Sequence, residues 1–212
     1  NALLLSDDSP IMSPFAESGF DLAIRRILAM SGEDLERQVG LMRGALALRF
    51  AAKITPTITA AEGSKPFAVE PDSLAPLKAE TLVERALEIA DALRESAIPI
   101  GRGVEWVQPQ FDVNTGRFDL GLMSYTLYEG KAGVGIFLAA VAKLTGDPTW
   151  RDMTVAAVRN LRVDVHHPES TVMRRFGIGG MDGFASAVYG LTKMAILLDD
   201  STFLADAAAA AR

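Results

Sequence analysis

The segment LYEGKAGVGIFLAAVAKLTGDPTW, residues 127–150, aligns without a gap on GMDGFASAVYGLTKMAILLDDSTF, residues 180–203, and this internal repeat decides the fold. Glu129-Gly130 lies over Asp182-Gly183, Ala132-Gly133 over Ala185-Ser186, and Leu138 over Leu191. Asp147-Pro148-Thr149-Trp150 lies over Asp200-Ser201-Thr202-Phe203. A repeat of this length means stacked supersecondary units, each unable to bury its own apolar face. Each unit opens with an acid and a glycine, then runs into a helix so apolar that neighbours must surround it. Val134, Phe137, Leu138 and Val141 carry this in the first unit; Phe184, Ala187, Val188, Leu191, Met194 and Ala195 carry it in the second. These read as inner helices. Asp147 or Asp200 then stands where it can cap the following helix, and Pro148 suits a first turn. That following helix interleaves Trp150, Met153 and Ala157 with Arg151, Asp152 and Arg159, so it is amphipathic and outer. Alternating inner and outer helices, with small residues where the inner ones start, predict an all-α chain: a partial α/α toroid of inner/outer helix hairpins. A closed ring needs many such pairs, so the expectation is the first repeats of a truncated toroid, whose open apolar faces would be a liability.

Working back from the repeat, Leu82, Val83, Ala86, Leu87, Ala90 and Leu93 predict a helix that starts near Pro76 and ends before Pro99. Residues 101–124 hold Gly, Pro, Asn and scattered aromatics around Asn114-Thr115-Gly116, a short hairpin or an ordered loop. Further upstream, Phe20, Ile24, Ile27 and Leu28 fall on one helical face, broken at Ser31-Gly32. Ser31 and Asp34 resemble a capping box opening a second helix with Leu35, Val39, Met42, Leu46 and Phe50 at helical spacing. Between these helices and the rest, ITPTITAAEGSKPFAVEPDS has no sustained period and reads as a linker. The expected organisation is a first unit over 1–52, a linker over 53–76 and the repeat-bearing unit over 77–212.

Composition narrows the chemistry. The 212 residues carry 21 Lys+Arg against 27 Asp+Glu, a net charge of −6, without the clustered cations that a nucleic-acid footprint needs. There is no cysteine, hence no disulfide and no thiolate nucleophile, and two histidines cannot alone complete a four-ligand zinc site. The most apolar stretch, from Ala132 to Ala142 between Lys131 and Lys143, is about half of the roughly 20 residues a membrane span needs. It reads as a buried helix. The chain opens at Asn1 without the layout of a signal peptide and stops inside an alanine run, and both ends suggest a piece of a longer chain.

At these residues the sequence resembles a known family. LYEGKAGVGIFLAAVAKLTGD resembles the first inner-helix motif of lanthionine synthetase C-like cyclase domains, usually Leu-Tyr-Asp-Gly-x-Ala-Gly, an apolar helix and a Thr-Gly-Asp stop. GIGGMDGFASAVYGL, residues 177–191, is similar to the second such motif. FAESGFDLAIRRILAMSGEDLERQVGLMRGAL, residues 15–46, is similar to the end of the dehydratase domain in bifunctional, type 2 lanthipeptide synthetases. The resemblance implies that 1–52 is a dehydratase tail and 77–212 the N-terminal part of a cyclase toroid. It implies a cytoplasmic parent enzyme whose dehydratase domain uses ATP and Mg to phosphorylate Ser and Thr of a ribosomal precursor peptide and then eliminates phosphate. The parent's cyclase domain uses zinc, held by two Cys and one His, so that a peptide Cys thiolate adds to the dehydroamino acid. None of those ligands can be carried onto this chain; they are expected beyond Arg212, among the remaining toroid repeats, and the kinase-like site before Asn1. Two positions depart from the pattern: Glu129 where Asp is usual and Ser186 where Gly is common.

Glu129 and Asp182 are the candidate catalytic residues, because equivalent repeat positions place two carboxylates at one end where they could act as acid and base. Against this stands the plainer reading that each carboxylate caps a helix N-terminus. For Asp182 the resemblance adds a place at the cavity rim beside a zinc-bound thiolate. His166 and His167 near Asp164 suggest a metal site, but adjacent side chains diverge and a solvated loop is the plainer outcome. Arg174 and Arg175 either meet an acidic leader peptide or form a surface pair. Trp106 and Tyr128 either line a cavity or pack in the core. Two other functions fit the residues: an α/α-toroid carbohydrate enzyme using Glu129 and Asp182, and a non-enzymatic helical scaffold that binds a peptide or protein partner.

Overall fold

Ser18 and Ser31 start the first two helices by the same device. The Ser18 hydroxyl accepts the Asp21 amide at 3.1 Å and opens α1, Gly19–Leu28. At α2, Gly32–Ala51, the bond is reciprocal: the Ser31 hydroxyl accepts the Asp34 amide at 3.1 Å while the Asp34 carboxylate accepts the Ser31 amide at 3.0 Å. The expected capping box is therefore formed. The backbone bond from Ser31, helped by its hydroxyl and by Arg37, holds the Asp34 carboxyl below its ordinary range. In this computed structural model the described residues are 2–4, 10–12, 17–51, 78–112, 114–167 and 177–211. The predicted linker, Pro76 and the Arg174-Arg175 pair lie outside them.

The described residues fall into two units. One contains α1, α2, residues 114–119 and a small antiparallel pair, β1 (Ala2–Leu4) with β2 (Pro10–Met12), in which Leu3 faces Ile11. In this unit the apolar stripes of both helices stay exposed, including Phe20, Ile27, Leu28, Leu35, Met42 and Phe50.

The other unit holds the core. α3, Ala79–Ser96, ends before Pro99 as its sequence requires. A hairpin follows, β3 (Ile98–Ile100) with β4 (Gly103–Glu105), pairing Ile98 with Glu105 and Ile100 with Gly103. Its turn rests on Gly101, whose φ of 61° lies in the left-handed region that a Cβ disfavours. β5 (Val107–Asp112) follows in this unit; β6 (Arg117–Leu122) starts in the first unit after Gly116, at φ 64°, and ends in this one. The all-α expectation is thus corrected: the chain is mostly helical and carries small two-stranded sheets, because short β-branched and aromatic runs are folded back by glycine turns.

The two repeat units are helical hairpins as expected. α4 (Lys131–Thr145) leads into α5 (Pro148–Ala157), and α6 (Arg159–Asp164) follows directly. α7 (Phe184–Leu198) leads into α8 (Thr202–Ala210). Asp147 caps α5 by accepting the Thr149 amide at 2.8 Å, with Pro148 in the first turn. Asp200 accepts the Thr202 amide at 3.0 Å in the same way. The hairpins pack side by side through α4 and α7. A Cβ on Gly190 would come within 2.9 Å of the Ala132 Cβ, and one on Gly135 within 2.7 Å of the Met194 sulfur, so glycines set the closeness of that packing. Leu138 and its repeat partner Leu191 are fully buried, as is Phe203, with Trp150 nearly so. Together with Val158, Leu161 and Met194 they make one continuous core.

Candidate functional site

The segments that lead into α4 and α7 share one backbone bond across the turn. The Lys131 amide donates to the Ser124 carbonyl at 2.8 Å, and the Phe184 amide donates to the Gly177 carbonyl at 2.7 Å, one repeat further on. Each bond folds the chain back over a glycine. A Cβ on Gly130 would stand 2.4 Å from the Thr126 nitrogen and 2.5 Å from its oxygen; one on Gly183 would stand 2.1 Å and 2.5 Å from the same two atoms of Gly179. Both glycines are extended, φ −143° and −108°, so what they supply is room for a close backbone approach and not an unusual dihedral. The two loops are also bonded together. The amides of Leu127 and Tyr128 converge on the Met181 carbonyl, at 3.1 and 3.3 Å.

This brings Glu129 and Asp182 to one end of the paired helices. Both residues are exposed, and neither carboxylate forms a hydrogen bond or ion pair among the described residues. The capping reading fails in its simple form, since Gly130 and Gly183 themselves occupy the N-cap positions and no side chain bonds there. Around the carboxylates, Tyr128 and Met181 are exposed and Ile178 is 92% exposed. Tyr128 thus stands outside the core, whereas Trp106 is buried and donates its indole N–H to the Leu93 carbonyl at 2.8 Å.

Beneath the first loop lies a polar cluster that the sequence did not disclose. Lys131, the first residue of α4, is buried, and its Nζ sits 2.5 Å from the Glu105 carboxylate on β4. The other Glu105 oxygen accepts the Asn160 amide of α6 at 2.9 Å. The Lys131 ammonium also lies over the Tyr125 ring, 4.4 Å from its centroid. Burial pushes the Lys131 pKa down and Glu105 pulls it back. Burial pushes the Tyr125 phenol well above its ordinary range, helped by the charge of Asp164, a hydrogen bond to it and the charge of Glu105. The one signal in the sequence is a contrast between repeats: Lys131 stands where the second repeat has Phe184.

A second cluster joins α6 to α8. Asp206 receives the Arg162 guanidinium on one oxygen and the His166 Nε2 on the other, the latter at 2.8 Å. His166 is therefore only half exposed and tied down, while His167 stays exposed. Asp164 lies by Tyr125 and not with the histidines in a ligand set. Among the described residues no three His, Cys, Asp or Glu side chains come together as metal ligands. With no Cys in the chain and His166 committed to Asp206, these residues do not fit the zinc that the resemblance implies. No described helix is long and apolar enough to cross a membrane.

No protein-family model matches the chain, and no curated protein matches it.

Proposed function

We propose that this chain provides the leading repeats of the cyclase toroid of a type 2 lanthipeptide synthetase, preceded by the tail of its dehydratase domain. In this reading α4 and α7 are inner helices and α5 and α8 outer ones. The parent enzyme dehydrates Ser and Thr of a ribosomal precursor peptide with ATP and Mg, and closes thioether rings by adding peptide Cys to the dehydroamino acids. Its zinc is held by residues outside this set, and the chain's own part is architectural. The paired glycine turns fix where two inner helices begin, and Glu129 and Asp182 are exposed at that end for contact with peptide. The observation that carries the reading is that the turns at Gly130 and Gly183, each an acid-Gly pair before an apolar helix, share the backbone bond across the turn and the close approach at the glycine.

The test is to tag the natural locus, size the native polypeptide and assay it. A chain several times 22.7 kDa, with added Cys and His, that forms thioethers in a dehydrated peptide is the expected result. Zinc-dependent ring closure by the 212 residues alone would overturn the architectural role.

A second reading, a non-enzymatic scaffold that binds a protein or peptide, is favoured by the exposed apolar faces of α1 and α2. A native product near 22.7 kDa that binds a partner and modifies no peptide would support it instead. The carbohydrate-enzyme reading has less behind it, because no described residue is bonded to either acid to fix it over a sugar.

A further inference from the structure

The Lys131–Glu105 pair is placed where charge is hardest to keep. Lys131 opens α4, at the end of a helix that favours anions, and both side chains are almost wholly buried. The second repeat shows that the position accepts an apolar group, since Phe184 occupies it with the same amide bond across the turn. A buried ion pair is poor evidence of stabilisation, because a well-packed apolar replacement often serves as well. What the pair has, and Phe184 lacks, is direction. Glu105 reaches from β4 to the start of α4 with one oxygen and to Asn160 on α6 with the other. Lys131 in turn spans Glu105 and the face of Tyr125, inside the loop that precedes its own helix. That loop carries the Leu127 and Tyr128 amides which bond Met181, and the exposed Tyr128 and Glu129. Gln108 adds a bond to the Glu129 carbonyl at 3.1 Å, so β5 also holds the loop from the same side.

We infer that the Lys131–Glu105–Tyr125 trio is a conformational lock: it holds the 124–130 loop in the single arrangement that joins it to Met181 and presents Tyr128 and Glu129. Lys131 and Glu105 act here as positioning residues. Their loss frees the loop while the helices stay assembled. The lock stands on the geometry alone and holds whether or not the chain belongs to a peptide cyclase.

The experiment is amide hydrogen exchange on the full chain, read at Leu127 and Tyr128 and, as an internal reference, at Leu138 and Leu191. Lys131→Met leaves Glu105 buried without its cation and can unfold the protein, so the deciding variant is the double Lys131→Met/Glu105→Leu, which removes both charges together. The lock predicts that the double variant keeps native protection at Leu138 and Leu191 but exchanges at Leu127 and Tyr128 at least tenfold faster. Native protection at all four amides in the double variant would overturn it, as would equal loss at all four, which would make the pair a general support of the unit. Lys131→Arg, which keeps the cation, is expected to restore most of the loop protection, and failure to do so would also count against a lock built on charge and ring contact.

Discussion

Gly183 has room for a hydrogen where a methyl group would stand 2.1 Å from the Gly179 amide nitrogen. Because the obstacle is backbone, it cannot step aside, and Gly183→Ala is expected to cost about 3 kcal/mol or more, the upper end of overpacking costs. Gly130→Ala should behave alike. Gly180→Ala, three residues away with nothing within 4 Å, should stay within about 0.5 kcal/mol. Urea unfolding of the three variants checks this, and equal costs at Gly180 and Gly183 would contradict the close-approach account. The aspartate caps make a different prediction. Bonds from the Thr149 amide and hydroxyl hold the Asp147 carboxyl below 3.8, and the Thr202 hydroxyl and amide with Arg151 and Arg162 do so for Asp200. A carboxyl whose folded value is depressed adds stability that is complete above its unfolded value and lost as pH falls through the folded one. Unfolding midpoints should therefore drop as pH falls below 3.8, and drop less steeply in Asp147→Asn and Asp200→Asn. Caps of this kind are legible in a sequence because donor and acceptor lie two or three residues apart. The Lys131–Glu105 pair spans 26 residues and two unrelated elements, so no local pattern announces it.

Helices α4 and α7 show how far the repeat can be trusted. Leu138 and Leu191 align in sequence and both end with no exposed surface. Truncating either to alanine should cost about 2–5 kcal/mol, with the two values close to each other, measured by chemical denaturation. A cost below 1 kcal/mol at one site alone would mean that the repeat is not echoed in the packing. The helices could be read in advance because an apolar period of 3.6 needs only ten or so residues to declare itself. β5 and β6 lie where the sequence allowed a short hairpin around Asn114-Thr115-Gly116, but β3 and β4 could not be read. β3 and β4 are three residues each, too short to display alternation, and Pro99 in the middle of β3 argues against a strand in any sequence rule. Its missing N–H is tolerated in a pair with an open edge. The tie between the two motif loops was equally hidden, for it runs between main-chain atoms of Leu127, Tyr128 and Met181 and leaves no trace in side-chain chemistry.

At the scale of the molecule, apolar surface is distributed unevenly. Phe20 and Leu28 are 72% and 80% exposed on α1, and replacing both with Ser should leave the unfolding free energy within about 0.5 kcal/mol per site, read by urea titration. A larger loss would mean that this face is covered within the protein. The repeat-bearing unit is held differently. Arg151, from the first hairpin, donates one guanidinium nitrogen to the Leu198 carbonyl at the end of α7 and another to the Asp200 carboxylate that opens α8, both at 2.7 Å. A side chain of one repeat thus closes the corner of the next. In a linear array, stability is a sum of unit terms and nearest-neighbour terms, and such a clasp puts weight on the latter. Pulled from its two ends in a single-molecule trap, the pair of hairpins should therefore rupture in one step, and Arg151→Ala should split that event into two.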